Sequence, residues 1–329
     1  MKNYFEHLKK KFVKDFDFII ESRELDEKVL MDRTKYLLPH VATKLGKKEE
    51  DIRRCLTKLE LIKTPVINGY ADTQDDWKTF QIYMSWGIMI FLIKMIKLFI
   101  SRMSVTNGKR IVDEAIISDQ EMIDAAKRLM LAFWGWEGTF WQARGIALID
   151  LTKSQIELSA YLLHYAECFI LAHEFGHLIM GSCPETVEKE LYIASAATED
   201  RNRTFLESLR LTKEDRKRAL EEWPKELAAD LIGLQLCLEQ RDDNIGRIVI
   251  RSSAEFLFIS MLMLERFSEK YTGESYWSYM YEIENKLKHP PTGLRLDFLH
   301  SFVDRSNISG ESHLGRCFRQ WSEHILSTL

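Results

Sequence analysis

The chain has 329 residues, of which 46% are hydrophobic and 29% charged, and a formal net charge of -4 at pH 7. This apolar content is sufficient to bury a core in one large domain or two, which excludes an intrinsically disordered chain. General nucleic-acid binders more often carry a basic surplus. Because the pI is near 6.2, we expect no nucleic-acid partner. The charge balance does not identify any other class of partner.

The cysteines and the first residues indicate the compartment. The five cysteines are scattered and form no C-x-x-C pair: Cys55, Cys168, Cys183, Cys237 and Cys317. Such a pattern is typical of a reducing cytosol. The first residues, M-K-N-Y-F-E-H-L-K-K-K, lack the apolar region of a secretory signal. We therefore expect a cytoplasmic protein.

Residues 1–110 form the first predicted region, which is expected to be helical and whose role is unknown. Turn signals at residues 64–76, including Pro65 and Asn68-Gly69, predict its clearest break. The uncharged stretch 79–93 has fifteen residues, whereas spanning a bilayer takes about 20. It predicts a buried core helix, with a membrane-surface or partner-docking helix as the alternative, and no stable membrane insertion. Polar residues 104–110 predict the boundary to a second region, 111–329.

The second region opens with residues that favour a cleft or a core. Residues 133–145, F-W-G-W-E-G-T-F-W-Q-A-R-G, are interpreted as core packing or as a wall of a substrate cleft. Residues 145–152, G-I-A-L-I-D-L-T, predict a strand. In a protease this strand would be the edge strand that pairs with an extended substrate.

The sequence H-E-F-G-H occupies positions 173–177 inside the apolar run 168–180. The run predicts a helix from Ser154 to Met180 that is capped by Gly181. Residues four apart share a helix face, so His173 and His177 can bind one metal ion. Glu174 lies beside them, where it can deprotonate a water on the metal as a general base. A glycine at the fourth motif position also indicates that another element packs closely there.

A second apolar helix, predicted to begin at Pro224, offers the missing ligand. Glu226 and Asp230 stand four apart on one face of it. Glu226 would complete a set of two histidines and one carboxylate, and Asp230 would accept the free ring N–H of a ligand histidine. The alternative is that both carboxylates lie on a solvated helix surface. His164 is nine residues before the motif, too far to share the ion, and is interpreted as a packing or hydrogen-bonding residue.

These motifs resemble a known family when they are taken in order. H-E-F-G-H followed by E-L-A-A-D at 226–230 and H-P-P-T-G-L-R-L at 289–296 is similar to the gluzincin zinc metallopeptidases. The third motif resembles a segment of the CaaX-processing and heat-shock membrane proteases. The resemblance covers about residues 140–299. Because the chain lacks a convincing membrane helix, it looks more like a soluble relative, either of the phage-exclusion (Lit-like) peptidase type or of the minimal gluzincins that cleave regulators such as repressors.

The resemblance implies a fold and a set of roles. The fold is mainly α (α+β), with a zincin-like core in residues 111–329, a small edge sheet and the N-terminal helical region. The cofactor is Zn²⁺, held by His173, His177 and Glu226, with Glu174 as base and Asp230 as partner of a ligand. His289 and Arg295 are expected near the cleft, as groups that bind substrate or the developing oxyanion. The alternative interpretation of His289 and Arg295 is a turn followed by a surface arginine.

The resulting hypothesis is a zinc-dependent endopeptidase that acts on a protein or peptide substrate. One alternative is a non-catalytic zinc-containing interaction protein, which would normally close its metal site with four protein ligands. Another is a conditional protease of defence or stress. Its charged segment 185–216, between the second and third ligands, would cover the cleft until a trigger arrives.

Overall fold

The computed structural model describes residues 27–62, 69–74, 78–101, 103–106, 109–112, 120–134, 151–197, 212–272, 289–305 and 313–328. These residues form ten α-helices, five β-strands and one 3₁₀ turn. The first half contains α1 (Glu27–Lys44), α2 (Glu49–Cys55), β1 (Leu56–Ile62), β2 (Gly69–Gln74), β3 (Thr79–Ser85), α3 (Trp86–Ile100), β4 (Met103–Thr106), β5 (Lys109–Val112) and α4 (Gln120–Trp134). The second half contains α5 (Lys153–Ser182), a 3₁₀ turn (Pro184–Val187), α6 (Glu188–Ala197), α7 (Lys213–Leu238), α8 (Asn244–Thr272), α9 (Thr292–Arg305) and α10 (His313–Ser327). The predicted mainly helical fold with a small sheet is confirmed.

Helix α5 carries the H-E-F-G-H motif and begins where the sequence predicted. Its N-cap is Thr152, whose side chain accepts from the Gln155 backbone N–H while the Gln155 side chain accepts from the Thr152 N–H. This reciprocal arrangement satisfies two N–H groups that a helix start leaves unpaired. The predicted cap at Gly181 is wrong, because the helix continues to Ser182 and Cys183 is the C-cap. The 3₁₀ turn that starts at Pro184 follows directly, so the chain turns without a left-handed glycine.

Helix α7 carries the second pair of carboxylates and is longer than predicted. It begins at Lys213, capped by Thr212, rather than at Pro224. The Thr212 hydroxyl accepts from the Asp215 N–H at 3.1 Å. A proline inside a helix removes the bond to the carbonyl four residues earlier. That carbonyl belongs to Leu220, which is 41% exposed, so water can replace the missing donor and the helix continues.

The two helices cross in unusually close contact, and a glycine on each of them makes this possible. A Cβ on Gly176 of α5 would lie 3.0 Å from both Cα and O of Ala229 on α7. A Cβ on Gly233 of α7 would lie 2.9 Å from the backbone nitrogen of His173. Any larger residue would push the helices apart. The predicted close packing at the motif glycine is confirmed, and it brings the second carboxylate pair to the motif histidines.

A three-stranded sheet lies against α5. Its strand order is β1-β3-β2, with β1 parallel and β2 antiparallel to β3, so that among the described strands β2 is an edge strand. The prediction of one core helix over residues 79–93 is therefore wrong in its first half. Residues 79–85 form β3, and the helix starts after Ser85. Pairing on both sides of β3 outweighs its local helical pattern. The Ser85 side chain then caps α3 by accepting from the Ile88 N–H at 3.2 Å.

The N-terminal region is not purely helical, since β1, β2 and β3 belong to it. Strand β2 lies inside residues 64–76, which carry turn signals and were predicted to be a break between helices. Residues before and after position 110 share one hydrophobic cluster, which includes Leu37 and Phe80 on one side and Phe175 and Trp321 on the other. The expected boundary between residues 110 and 111 falls inside β5. Elements of both parts thus surround α5.

Two segments that the sequence analysis singled out lie partly outside the described residues. Of the predicted strand 145–152, residues 145–150 lie outside them, and Thr152 serves as the cap of α5 instead. Of the tryptophan- and glycine-rich segment 133–145, residues 135–145 also lie outside them. Within the described ranges, no helix combines the length and apolar character that crossing a bilayer requires.

Substituting either crossing glycine by alanine is expected to destabilise the protein. Alanine favours a helix over glycine by about 1 kcal/mol, but overpacking a close contact costs about 1–3 kcal/mol. Gly176→Ala and Gly233→Ala should therefore lower the urea midpoint, whereas Gly293→Ala should leave it equal or higher. Gly293 is the matched control, because among the described residues the contact of a Cβ there is an ordinary one, with Leu262 Cδ1 at 3.8 Å. Equal midpoints for all three variants would disprove the close crossing.

Candidate metal centre

Three side chains from α5 and α7 converge in a triangle. His173, His177 and Glu226 place their donor atoms within 4.8 Å of one another. The Nε2 atoms of the two histidines are 3.2 Å apart. Glu226 Oε2 is 3.5 Å from His173 Nε2, and Glu226 Oε1 is 3.3 Å from His177 Nε2. Among the described residues this is the one group of three or more such donors placed to hold a metal ion.

The spacing of the triangle fits a tetrahedral ion. Ligand atoms about 2.0–2.1 Å from zinc at the tetrahedral angle lie about 3.3–3.4 Å apart. The two Nε2 atoms are 3.2 Å apart, and each has one Glu226 oxygen nearby, Oε1 at 3.3 Å from His177 and Oε2 at 3.5 Å from His173, so all three distances are close to that value. Two imidazoles and one carboxylate are also a donor set that zinc prefers at catalytic sites. The residues present therefore fit the Zn²⁺ that the motifs predict.

Asp230 lies directly behind His173. It is fully buried, and its Oδ1 is 2.8 Å from His173 Nδ1. A carboxylate can only accept, so His173 carries a proton on Nδ1 and turns its Nε2 atom into the triangle, where a metal ion could bind it. The alternative of a solvated carboxylate surface is excluded, since Glu226 is only 8% exposed and Asp230 is not exposed at all.

Arg295 holds Asp230 in place from the other side. Its Nε donates to Asp230 Oδ2 at 2.8 Å and its Nη2 to Oδ1 at 2.5 Å, a bidentate pair. Burial alone would raise the pKa of Asp230, but Arg295 and His173 outweigh it and lower that pKa. The arginine is on α9 with a side chain 12% exposed, so it is not the surface residue of the alternative interpretation. The structure places it behind the metal triangle, bound to a carboxylate.

His289 contacts the third ligand. Its Nδ1 is 2.6 Å from Glu226 Oε2, and its side chain is 35% exposed. Burial acts to raise the pKa of Glu226, but the nearby His289, His177 and His173 hold it well below its ordinary value. The carboxylate is thus ionised and oriented by a hydrogen bond before any ion binds. The third sequence motif supplies one partner to each carboxylate of the second motif.

The electrostatics of the triangle favour a single cation. Burial lowers the pKa of His173, yet the hydrogen bond and charge of Asp230, with Glu226, raise it to about 10. Burial lowers the pKa of His177 to about 4, since the charge of His173 adds to it. The two shifts differ because Asp230 and Glu226 overcome the effect of burial at His173, whereas burial, with the charges of His173 and His289, outweighs the carboxylates at His177. A metal ion can replace the extra proton on His173 and receive lone pairs from both rings.

Glu174 is positioned as the motif predicts, beside the triangle but not part of it. It is 4% exposed, and burial raises its pKa to about 7. A general base works best when its pKa is near the operating pH. Edge strand β2 faces it, because a Cβ on Gly69 would lie 3.6 Å from Glu174 Oε1. The expected edge strand at 145–152 lies mostly outside the described residues, and β2 is the strand that the structure places beside the base.

Two further residues near the site had no strong sequence signal. Glu265 on α8 is 6% exposed and accepts a hydrogen bond from the Thr292 hydroxyl. In the sequence it stands out only as an acidic residue within the mostly apolar run 256–267. Phe258, also on α8, lies under the Arg295 guanidinium with 4.8 Å between its ring centre and Cζ. A phenylalanine in an apolar helix gives no sequence signal of such a contact.

His164 takes no part in the metal site. It packs edge-on against Tyr36 and Tyr165 with ring centres 5.5 and 4.8 Å away, and its Nε2 is 3.7 Å from Cys168 Sγ. Its interpretation as a packing and hydrogen-bonding residue is confirmed. Burial, with the charge of Arg33, lowers its pKa to about 4. None of the cysteines of the described residues belongs to the metal triangle.

Comparison with known proteins identifies no relative. No family model, no curated protein and no solved structure matches the chain. The resemblance to gluzincin peptidases thus remains a prediction from three short motifs. Function has to be argued from the geometry of the site.

The first prediction for the site concerns metal content. The protein should bind one Zn²⁺ per chain, and Glu226→Gln should weaken binding by at least 10-fold, because the neutral amide is a poor zinc ligand. Glu222→Gln is the matched control, since Glu222 lies one turn earlier on α7 and pairs with Lys225 at the surface. Metal analysis by mass spectrometry and chelator competition measure both. Equal affinities would remove Glu226 from the ligand set.

A second prediction concerns the pH dependence of folding through His164. Its pKa is about 4 when folded against an ordinary 6.5, so only the unfolded chain gains a proton as pH falls between those values. The free energy of unfolding should therefore fall over this window, by about 2 kcal/mol for this partly buried group. His164→Phe should lack that part of the fall. Parallel pH profiles of urea unfolding for wild type and variant would contradict the burial of a neutral ring.

Proposed function

We propose that the protein is a zinc-dependent endopeptidase that hydrolyses peptide bonds of a protein or peptide substrate. The observation that carries the proposal is the three-donor triangle with a buried carboxyl of pKa near 7 beside it. Structural zinc sites are normally closed by four protein ligands, whereas catalytic sites use three and keep one position open. In the described residues the donor set stops at three, which favours catalysis over the alternative of a non-catalytic zinc protein.

The chemistry divides between the metal and Glu174. Zinc, when bound, supplies a Lewis acid that activates water and polarises the scissile carbonyl. Glu174 takes the proton from the attacking water on a carboxylate oxygen as the new C–O bond forms. It then gives that proton to the leaving amine nitrogen as the C–N bond breaks. A pKa near 7 allows it to act as base and then as acid within one turnover.

The remaining residues keep the ligands ready. Asp230 fixes the tautomer of His173, and Arg295 keeps Asp230 ionised and in place. His289 orients Glu226. Such partners of metal ligands typically contribute 10–100-fold to metal affinity or activity. We infer that Arg295 and His289 support the reaction through these carboxylates. Direct contact of His289 with substrate or oxyanion remains a prediction, and its 35% exposed side chain supports access from the cleft.

Strand β2 offers a binding site for the substrate backbone. In the described part of the chain it pairs with β3 alone and forms one edge of the sheet. An extended peptide can add to such an edge by backbone hydrogen bonds, without demanding one sequence. Its first residue, Gly69, lies beside Glu174 and has no side chain to obstruct the cleft. A peptide on this edge would pass the base with its backbone exposed to attack, as endopeptidase activity requires.

A conditional form of this activity, of a defence or stress protease, is also a prediction from the sequence. Of the segment 185–216 that was expected to cover the cleft, the structure describes 185–197 and 212–216. Helix α6 within it packs on α7, where Ala194 joins Leu227, Ala228 and Leu231 in a small apolar cluster. The segment thus contacts the helix that carries Glu226.

The experiment that tests the proposal replaces the base. Glu174→Gln should keep zinc and lower cleavage by about 10²–10⁴-fold, the range for removing a general base. Cleavage is measured by mass spectrometry of a cell lysate treated with each protein, and zinc by metal analysis. Glu157→Gln, an exposed residue on the same helix, is the control. Retained cleavage by Glu174→Gln would overturn the assignment of the base, and the absence of any cleavage by the wild type would favour the interaction protein.

A further inference from the structure

A buried carboxyl group lies outside the donor set and outside the reaction. Glu265 of α8 is 6% exposed, and burial raises its pKa to about 7 despite the bond from Thr292. Removing a carboxylate from water costs several kcal/mol unless its partners compensate. An apolar side chain would pack a helix contact at least as well. The carboxyl therefore has to provide what an apolar residue cannot, which is a directional hydrogen bond.

That bond goes to the start of α9. The Thr292 hydroxyl donates to Glu265 Oε1, and Thr292 is only 2% exposed. Thr292 is the first residue of α9, three residues after His289 and three before Arg295. A fixed position of Thr292 therefore constrains both neighbours at once. One of them contacts Glu226 and the other contacts Asp230.

Helix α8 contacts α9 at two further levels. Phe258 lies under the guanidinium of Arg295, 4.8 Å from its ring centre to Cζ. Farther along, Glu255 Oε1 is 3.1 Å from His300 Nε2, and both side chains are largely buried. The contacts run antiparallel, from the first turn of α9 to its third. Helix α8 thus holds α9 in rotation as well as in distance, which packing alone does not ensure.

We infer that Glu265 is a positioning residue of the metal centre, which acts through the Thr292 hydroxyl to hold the first turn of α9 and so keeps His289 on Glu226 and Arg295 on Asp230. The inference rests on the proposed function, because it assigns Glu265 a role in preparing the ligands for zinc. Glu265 itself contacts neither the metal triangle nor Glu174 in any described hydrogen bond. Its hydrogen bond to Thr292 is the contact that holds the turn, and its carboxyl also interacts with the charge of Arg295.

Paired variants at both ends of the bond test this inference. Thr292→Val removes the hydroxyl and keeps the shape, while Thr292→Ser keeps the hydroxyl. Glu265→Leu removes the acceptor, while Glu265→Gln keeps one acceptor oxygen. We expect Thr292→Val and Glu265→Leu to weaken zinc binding about 10-fold, the lower end of the effect of losing a ligand's support. The zinc affinities of Thr292→Ser and Glu265→Gln should stay within about threefold of wild type. In Thr292→Val and Glu265→Leu, kcat should fall with KM nearly unchanged.

Ser253→Ala is the control for a general loss of stability. Ser253 is buried on α8, and its hydroxyl donates to the Val249 carbonyl of its own helix at 2.7 Å. Zinc affinity is measured by competition with a fluorescent chelator on folded protein, independently of proteolysis. Equal zinc affinity in Thr292→Val, Glu265→Leu and Ser253→Ala would overturn the inference. Zinc binding without proteolysis by the wild type would overturn the proposed function but leave this test intact, and no zinc binding at all would overturn both.

Discussion

The site depends on how closely α5 and α7 cross. Its ligands come from both helices, and side chains of moderate length reach a common point only if the helix axes are near each other. Gly176 and Gly233 provide that approach, since each presents hydrogen where any other residue would press a Cβ against backbone. The motif glycine is therefore a packing requirement of the metal centre. Gly233 on α7 allows the same close approach, against the backbone of His173 on α5.

The close crossing would be unfavourable if the buried charges lacked partners. Each carboxylate of α7 instead has a partner from α5 and another from the H-P-P-T segment: Asp230 between His173 and Arg295, and Glu226 between the histidine pair and His289. A buried ion is stable only when its charge and its hydrogen-bonding capacity are both satisfied. The network leaves one positive charge to be shared by the two histidines. The proposed zinc ion would take the place of that charge and bind the nitrogen and oxygen atoms of the triangle.

Local patterns predicted α5 well and the sheet poorly. The H-E-F-G-H helix, its partner carboxylates and their burial follow from residue spacing, because helical periodicity is a local property. Strand β2 was missed because Asn68-Gly69 is also a strong turn signal, and its strand character comes from pairing with β3. Residues 79–85 read as part of a helix for the same reason. Strand pairing depends on the partner strand as well as on the segment itself, so the pattern within one segment does not reveal it.

The contacts that organise the site from behind were equally inaccessible. Arg295 and Asp230 are 65 residues apart, and Glu265 and Thr292 are 27 apart. Sequence motifs placed Arg295 near the cleft but did not show which group it would contact. Glu265 appeared only as an acidic residue in an apolar helix. Side-chain partners across helices depend on how those helices pack, which no spacing within one segment determines.

The central claim is that two imidazoles and one carboxylate hold zinc with a position left open. Zinc X-ray absorption of the wild-type protein tests it most directly, because that spectrum reports the ligand atoms and their distances. The account predicts nitrogen and oxygen at about 2.0–2.1 Å, scattering from two imidazole rings and one further oxygen from solvent. Sulfur at about 2.3 Å, or a fourth protein nitrogen that closes the site, would contradict it.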